Sequence, residues 1–160
     1  MSRAFRISER MMRMDDAAWA RHANPWSAWS RVSVLPLFCL AAWSRVWIGW
    51  GALGAAAVVI AWVLINPRLF RAPERTDNWM SQAVLGERDW LAEGGSAALA
   101  HHRGMVTVLT VVSAIGAVAM LGGLVMLDLT ATLVGMTVAM GAKLWLMDRM
   151  VWVRRDLGRD

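Results

Sequence analysis

A run of 23 residues without a charged side chain, residues 105–127, constrains the fold of this chain more than any other feature. A helix needs about 20 apolar residues to cross the roughly 30 Å hydrocarbon core of a bilayer. Residues 46–65 add a second uncharged run, and residues 129–147 add a third that contains one charge, Lys143. The hydrophobic fraction of 58% also exceeds the roughly 45–50% of soluble domains. These runs predict an all-α, polytopic membrane protein.

A further span has to include residues that precede its apolar run. Residues 32–43 are apolar but too few to cross a bilayer alone. Asn24-Pro25 predicts an earlier helix start, because an asparagine side chain caps free N–H groups and proline suits the first turn. Arg31 then lies about two turns inside the helix, where it is expected to reach back to water. Pro36 is expected to kink the helix.

Four transmembrane helices in two tight hairpins follow from these runs. The predicted spans are residues 25–44, 46–65, 105–127 and 129–147. The second span is expected to end at Asn66-Pro67, because the residue before a proline disfavours the helical region. Arg45 and Asp128 lie in the two hairpin turns, so an ion pair between them is one open expectation. Residues 25–153 form the predicted membrane domain, and residues 154–160 form a tail.

The distribution of basic residues predicts the orientation. All but two of the 17 lysine and arginine residues lie in the N-terminal segment, the central loop or the C-terminal end, the exceptions being Arg45 and Lys143. Positively charged loops stay in the cytoplasm, so both termini and the central loop are predicted to be cytoplasmic in a bacterial inner membrane. Anionic lipids account for the net charge of +5 without a nucleic-acid partner. The first span is expected to act as an uncleaved targeting element.

Two segments outside the spans are predicted to lie on the membrane surface. Residues 1–24 form a basic amphipathic segment on the cytoplasmic side. Its arginines share one helix face and are predicted to contact the lipid surface: Arg3, Arg6, Arg10 and Arg13. Translation could also begin at one of three later methionines, Met11, Met12 or Met14. Residues 76–91 of the central loop predict a cytoplasmic interfacial helix that ends at Gly94-Gly95.

Two charged residues occupy positions where the helical pattern expects apolar ones. Glu87 falls in the middle of the apolar face of the predicted interfacial helix, whereas Arg88 and Asp89 are expected to point to water. Lys143 shares a helix face with small residues such as Gly135, which predicts that it points into the helix bundle. Ionisable residues in such places are functional candidates. The alternative is that each reaches water and has no further role.

The histidines supply the remaining candidates, since all three lie on the predicted cytoplasmic side. A catalytic or proton-transfer role is assigned to Glu87, His101, His102 and Lys143. A metal site for iron, zinc or manganese is open, with ligands converging from separate segments: His22, His102, Glu87 and Asp148. His101 and His102 are not expected to hold one ion together, because adjacent side chains on a helix diverge by about 100°.

A rival site for an anion or lipid headgroup uses a helix N-terminus: His101, His102 and Arg103. The histidines could also be no more than polar interface residues.

Several strings resemble one family of small bacterial integral-membrane proteins that is defined as a domain of unknown function. They are RHANPWSAWSR, WSRVWIGW, NPRLF, TDNWMSQAVLGERDWL, AHHR and KLWLMDRMVW. The similarity covers residues 21–153. It implies a bacterial inner-membrane protein and assigns no catalytic role to any residue.

Two functions are compatible with these patterns. The first is a polar His, carboxylate and Lys site at the cytoplasmic membrane edge that binds or acts on an amphipathic or anionic ligand. The second is a non-catalytic accessory or assembly subunit, whose tryptophans and small-residue faces pack against a larger membrane complex or a second copy. An oligomeric transporter or pore is less favoured, because no span is broken and no charge lies at mid-membrane.

Overall fold

The protein is all-helical, as predicted. The structure, a computed structural model, describes residues 16–159 apart from the side chain of Pro67. Helix accounts for 82% of it, and the described residues contain no strand. We number the helices α1 (Asp16–His22), α2 (Pro25–Val32), α3 (Val34–Trp43), α4 (Arg45–Ile48), α5 (Gly51–Leu69), α6 (Trp79–Glu93), α7 (Arg103–Met126) and α8 (Leu129–Asp156), with a 3₁₀ turn at Ala100–His102. The predicted lipid-surface residues Arg3, Arg6, Arg10 and Arg13 lie outside the described residues.

Three helical stretches of the described chain are long and apolar enough to cross a membrane. They are Pro25–Ile48, Ala100–Met126 and Leu129–Asp156, of 24, 27 and 28 residues. A shorter apolar stretch covers Gly51–Asn66. It does not include the start of the predicted span 46–65, because Gly49 adopts a positive φ of 53° and separates α4 from α5. The structure therefore supports three of the four predicted crossings by length and composition.

The first crossing begins where the sequence predicts. The Asn24 side-chain oxygen accepts hydrogen bonds from the backbone N–H groups of Trp26 and Ser27, at 3.0 and 3.3 Å. These bonds satisfy two of the free donors at the start of α2, so the predicted capping role of Asn24 is confirmed.

The predicted irregularity in this crossing falls before the proline rather than at it. Helix α2 ends at Val32, Ser33 is a turn residue and α3 begins at Val34. Pro36 has no N–H to donate to the carbonyl four residues earlier, which belongs to Val32. The helix therefore breaks at the place where that hydrogen bond is missing.

The predicted helix end at Asn66-Pro67 is wrong, because α5 continues to Leu69. The Asn66 side chain is fully buried. Its Oδ1 accepts from Ser27 Oγ at 2.6 Å, and its Nδ2 donates to Ser30 Oγ at 2.7 Å. These contacts with α2 hold Asn66 in the helix, so packing outweighs the local bias of the residue before proline.

Small residues bring α7 and α8 together, as predicted. A Cβ on Gly116 would collide with the backbone of Ala139, and one on Gly135 would collide with the backbone of Met120. The absence of side chains at these positions lets the two helix backbones approach closely. Thr132 is buried on the same face of α8. This hairpin is closely packed along its length at Gly116, Gly123 and Gly135.

Arg45 and Asp128 bind different groups and do not form the ion pair that the sequence left open. The Arg45 guanidinium donates to the carbonyl of Leu124 and, at 3.1 Å, to that of Val125. These carbonyls end α7, where the helix dipole is negative and attracts a cation. Asp128 instead accepts from the N–H of Ala131 at 2.9 Å and caps α8. The two hairpin turns nevertheless lie at the same end of the bundle.

Helix α6 packs against the C-terminal half of α8, and the closest approach is at Gly86. A Cβ on Gly86 would overlap the backbone carbonyl of Met150. The buried face of α6 includes Met80, Ala83 and Val84, as the helical pattern predicts. Helix α6 is thus a packed part of the bundle.

The prediction that Asp89 points to water is wrong. Asp89 is buried and accepts from Arg154 at 2.8 Å and from Arg159 at 2.7 Å. These arginines reach it because α8 continues to Asp156, well past the predicted end of the fourth span at Met147. The predicted tail is in part the last turn of a helix.

Candidate functional site

A cavity of about 530 Å³ lies between the N-terminal helices and the α6, α7 and α8 bundle. Most of its walls are apolar. Its ionisable lining residues among the described part of the chain are His22, Arg31, Glu87 and Lys143. The volume falls within the roughly 300–1,000 Å³ of small-molecule sites. Three of these four residues are sequence-predicted site residues, and Arg31 is an addition.

Glu87 and Lys143 form an ion pair across α6 and α8. Lys143 Nζ donates to Glu87 Oε1 at 2.9 Å. The side chains are 47% and 36% exposed for Lys143 and Glu87 respectively. A pair so exposed contributes no more than about 1 kcal/mol to stability. The two charges therefore remain accessible to a ligand in the cavity.

His22 and Arg31 form the second polar contact of the cavity. A guanidinium N–H of Arg31 donates to His22 Nδ1, and another donates to the His22 carbonyl at 3.1 Å. Arg31 was expected to reach back to water, but His22 binds it within the protein. Because Nδ1 accepts, the neutral His22 ring carries its proton on Nε2.

The electrostatic surroundings keep His22 neutral. Burial, the largest cause, and the positive charges of Arg31 and Lys143 together lower its pKa from 6.5 to about 3. A neutral imidazole cannot balance the guanidinium beside it. Within residues 16–159, Arg31 makes no ion pair with a carboxylate. Since Glu87 offsets Lys143, the described residues of the cavity carry one surplus positive charge.

The other two histidines lie outside the cavity, so the predicted catalytic set divides in two. His101 and His102 belong to the 3₁₀ turn before α7. Their Nε2 atoms each lie 2.9 Å from Oδ2 of Asp156, the last residue of α8. We name these three residues the histidine–aspartate cluster. The expectation that adjacent imidazoles diverge is wrong here, because both rings turn toward one carboxylate on the facing helix and lie 4.1 Å apart.

The predicted metal ligands His22, His102, Glu87 and Asp148 are not brought together. His22 and Glu87 line the cavity, whereas His102 faces Asp156. Asp148 accepts a hydrogen bond from Trp79 Nε1 at 3.0 Å and so joins α8 to α6. The convergence fails because each carboxylate has a nearer partner of its own.

The predicted anion site at His101, His102 and Arg103 is also rearranged. The two imidazoles face the carboxylate of Asp156. Arg103 donates to the carbonyls of Gly94, Gly95 and Ser96, at 3.1, 2.5 and 2.8 Å. These carbonyls follow the end of α6, where a cation is favoured by the free acceptors. The chain's own groups therefore occupy the donors that the prediction offered to an external anion.

Two residues of these sites, Arg31 and Asp156, were not among the predicted site residues. The apolar spacing of α8 would have located Asp156, because buried Met147, Met150 and Val151 continue the helical period past the predicted end of the span. No comparable signal in the sequence shows that Arg31 turns toward His22.

Of three comparisons with known proteins, only the one against protein families gives a match. No curated protein and no solved structure matches it. A family of unknown function, DUF6653, matches residues 6–159, which include all the residues of the cavity and of the histidine–aspartate cluster. The chain therefore belongs to the DUF6653 family.

Proposed function

We propose that this protein binds an amphipathic anion in its cavity, with the anionic head at Arg31 and Lys143 and the apolar part along the cavity walls. The observation that carries the proposal is the surplus positive charge of Arg31 inside a largely apolar cavity. An unpaired charge in apolar surroundings is costly, and a bound anion would remove that cost. A guanidinium also binds carboxylates and phosphates in bidentate fashion.

The proposal includes the membrane setting inferred from the sequence. Helix α5 has 19 residues and is about 28 Å long at 1.5 Å per residue. The whole helix nearly matches the hydrocarbon core, its apolar part Gly51–Asn66 is shorter, and we propose α5 as a fourth crossing. The arginine-rich ends of the spans then face the cytoplasm of a bacterial inner membrane, with α6 at the interface. A periplasmic reporter that is active when fused at Asp160 would contradict this topology.

Binding is favoured over catalysis by the state of the candidate proton-transfer groups. The Nδ1 atom of His22 already accepts from Arg31, and Glu87 is paired with Lys143. His22 Nδ1 cannot accept a proton from a substrate without first losing its bond to Arg31, and one oxygen of Glu87 is engaged by Lys143. Both still suit ligand recognition, since His22 Nε2–H can donate to an anion.

The accessory-subunit hypothesis is supported by a separate observation, the exposure of large aromatic side chains. Trp26, Trp47 and Trp50 are all strongly exposed. Lipid accounts for such exposure as well as a protein partner does, because tryptophan favours the membrane interface. Glu87→Gln distinguishes the two functions. An accessory subunit should assemble normally with this variant, whereas anion binding in the cavity should change.

The test of ligand binding uses a labelled fatty acid, oleate, with the protein in neutral detergent. The Arg31→Gln variant should bind oleate roughly tenfold more weakly or worse, since it loses a charge-assisted hydrogen bond. Arg68→Gln is the matched control, because Arg68 is exposed on α5, lies outside the cavity lining and donates to the Leu64 carbonyl. Equal oleate binding by Arg31→Gln and wild type would contradict the proposal. So would tighter binding of a cationic amphipath with the same chain length.

A further inference from the structure

The histidine–aspartate cluster brings three metal-ligand atoms together from two separate elements. The Nε2 atoms of His101 and His102 and one oxygen of Asp156 all lie within 4.8 Å of one another. Each nitrogen is 2.9 Å from the Asp156 oxygen. Metal–ligand distances of about 2.0–2.2 Å put neighbouring ligand atoms roughly 2.9–3.5 Å apart, from right-angle to tetrahedral positions. The two nitrogen–oxygen spacings in the cluster therefore suit a shared transition-metal ion.

The charge of the cluster favours a cation. Two arginines adjoin Asp156 in the sequence, but both are engaged elsewhere. Arg154 donates to Asp89 at 2.8 Å, and the guanidinium of Arg155 lies 5.1 Å from the ring centre of Trp152. Within residues 16–159, the two imidazoles are the only side-chain partners of Asp156. With neutral imidazoles the cluster carries one negative charge, which an incoming cation would offset.

Burial divides the cluster into one fixed ligand and two accessible ones. The His102 side chain is 2% exposed, whereas those of His101 and Asp156 are 60% and 38% exposed. The buried ring is held by packing, so its position does not depend on the ion. The two exposed ligands leave a route for an ion to enter and room for water molecules to complete its coordination.

We propose that His101, His102 and Asp156 bind one divalent transition-metal ion through two imidazole nitrogens and one carboxylate oxygen. Imidazole ligands select ions such as Zn²⁺, Fe²⁺ or Co²⁺ over Mg²⁺ and Ca²⁺, which take oxygen ligands. Three protein ligands with remaining open positions are typical of metal sites that exchange water or substrate. The ion would also link the start of α7 to the end of α8. This site is separate from the cavity, and its failure would leave the anion-binding proposal intact.

The test is a titration of tag-free, chelator-treated full-length protein with Co²⁺, followed by visible absorption and by elemental analysis. Wild type should bind one Co²⁺ per chain and should not bind Mg²⁺ at the same concentration. His101→Ala and Asp156→Ala should each weaken Co²⁺ binding roughly tenfold or more, because each removes a ligand. Asp77→Ala is the control, since Asp77 is an exposed carboxylate that pairs with Arg75 away from the cluster.

His102→Ala gives the strongest test but opens a space in the core. Its melting temperature without metal is therefore measured first, and His101→Ala, at an exposed position, serves where His102→Ala does not fold. Added Co²⁺ should raise the melting temperature of wild type more than that of His101→Ala. The proposal is overturned by wild type that binds no Co²⁺ at about 1 mM, or by His101→Ala and Asp156→Ala that bind it as wild type does.

Discussion

The cavity and the histidine–aspartate cluster contain the same kinds of side chain but differ in the sign of their surplus charge. In the cavity, His22 accepts a hydrogen bond from Arg31, and the only carboxylate that lines it among the described residues is offset by Lys143. In the cluster, two imidazoles face a carboxylate whose neighbouring arginines bind elsewhere. The partner of each imidazole, more than the imidazole itself, decides whether the site favours an anion or a cation.

The comparison teaches that residue type alone does not define a site in this protein. A histidine beside a guanidinium is held neutral and serves as an acceptor, as His22 does. A histidine that faces a carboxylate becomes a potential metal ligand, as His102 does. The following experiments either remove both sites at once or change the charge of one while leaving the other alone.

Gly86→Ala should have the largest effect, because it disturbs the packing of α6 on α8 that both sites depend on. The added Cβ would overlap the Met150 carbonyl, and the forced separation should cost about 3 kcal/mol of stability. Thermal melting in detergent, followed by oleate and Co²⁺ binding, measures the effect. Gly141→Ala is the control, since nothing lies within 4 Å of its added Cβ, and it should be neutral or slightly stabilising. Equal melting temperatures for the two variants would show that α6 does not pack as described.

Acid should lower the free energy of unfolding of the protein through protonation of His22. Its pKa is lowered from 6.5 to about 3 in the folded protein by burial, with Arg31 and Lys143 adding to the effect. The unfolded chain therefore takes up the proton first, so the stability that neutral His22 contributes is complete above pH 6.5 and decreases as the pH falls toward 3. Between about pH 7.5 and about pH 5, wild type should lose about 2 kcal/mol more than His22→Gln does.

Denaturant unfolding of both proteins across this pH range measures that difference. His22→Gln removes the titrating group and keeps a side chain that can accept from Arg31. Parallel pH profiles for wild type and His22→Gln would mean that His22 is not held neutral in the folded state.

Opposite charge changes in the cavity should have smaller and opposite effects on anion binding. Glu87→Gln leaves Lys143 unbalanced and should tighten oleate binding, whereas Lys143→Met should weaken it. Both side chains are partly exposed, so each change should be about two- to fivefold. Neither variant should alter the affinity for Co²⁺, because neither residue belongs to the cluster. Changes of the same sign in oleate affinity would contradict the surplus-charge argument.

Arg155→Ala should have the smallest effect. Arg155 adjoins Asp156 in the sequence, but its guanidinium lies over Trp152. Because solvent and salt screen exposed charges, its removal should change the affinity for Co²⁺ by less than about twofold. Co²⁺ titration of wild type and Arg155→Ala checks this. A tenfold gain in affinity would show that Arg155 does compete for Asp156.

The sequence predicts the local features of this fold better than its long-range contacts. The helix start at Asn24 depends on side-chain chemistry within three residues, and the close approach at Gly135 depends on a stripe of small residues on one face. Both features can be predicted from the sequence alone, and the structure confirms both. The end of α5 was mispredicted, because the hydrogen bonds of Asn66 come from α2, about 40 residues earlier in the chain.

The sites show the same limit. The helical pattern singled out Glu87 and Lys143 as misplaced charges, yet it could not show that they pair with each other. Arg31 was predicted to reach water. No pattern in the sequence indicates that its side chain binds His22, nine residues earlier on α1. Asp156 was missed because the predicted fourth span stopped at the edge of its apolar run, while α8 continues. Each error comes from a partner on a different helix.

Helix α8 also sets the depth of each site. Its 28 residues measure about 42 Å at 1.5 Å per residue, some 12 Å more than the roughly 30 Å of hydrocarbon it is long enough to cross. When α8 crosses a bilayer from its first residue, Lys143 lies about 21 Å along it and Asp156 about 40 Å. The first position lies about 9 Å inside the nearer boundary of the hydrocarbon, and the second lies beyond that boundary. In this setting the proposed amphipath would come from the bilayer and the proposed ion from solution, so the two ligands need not share a path.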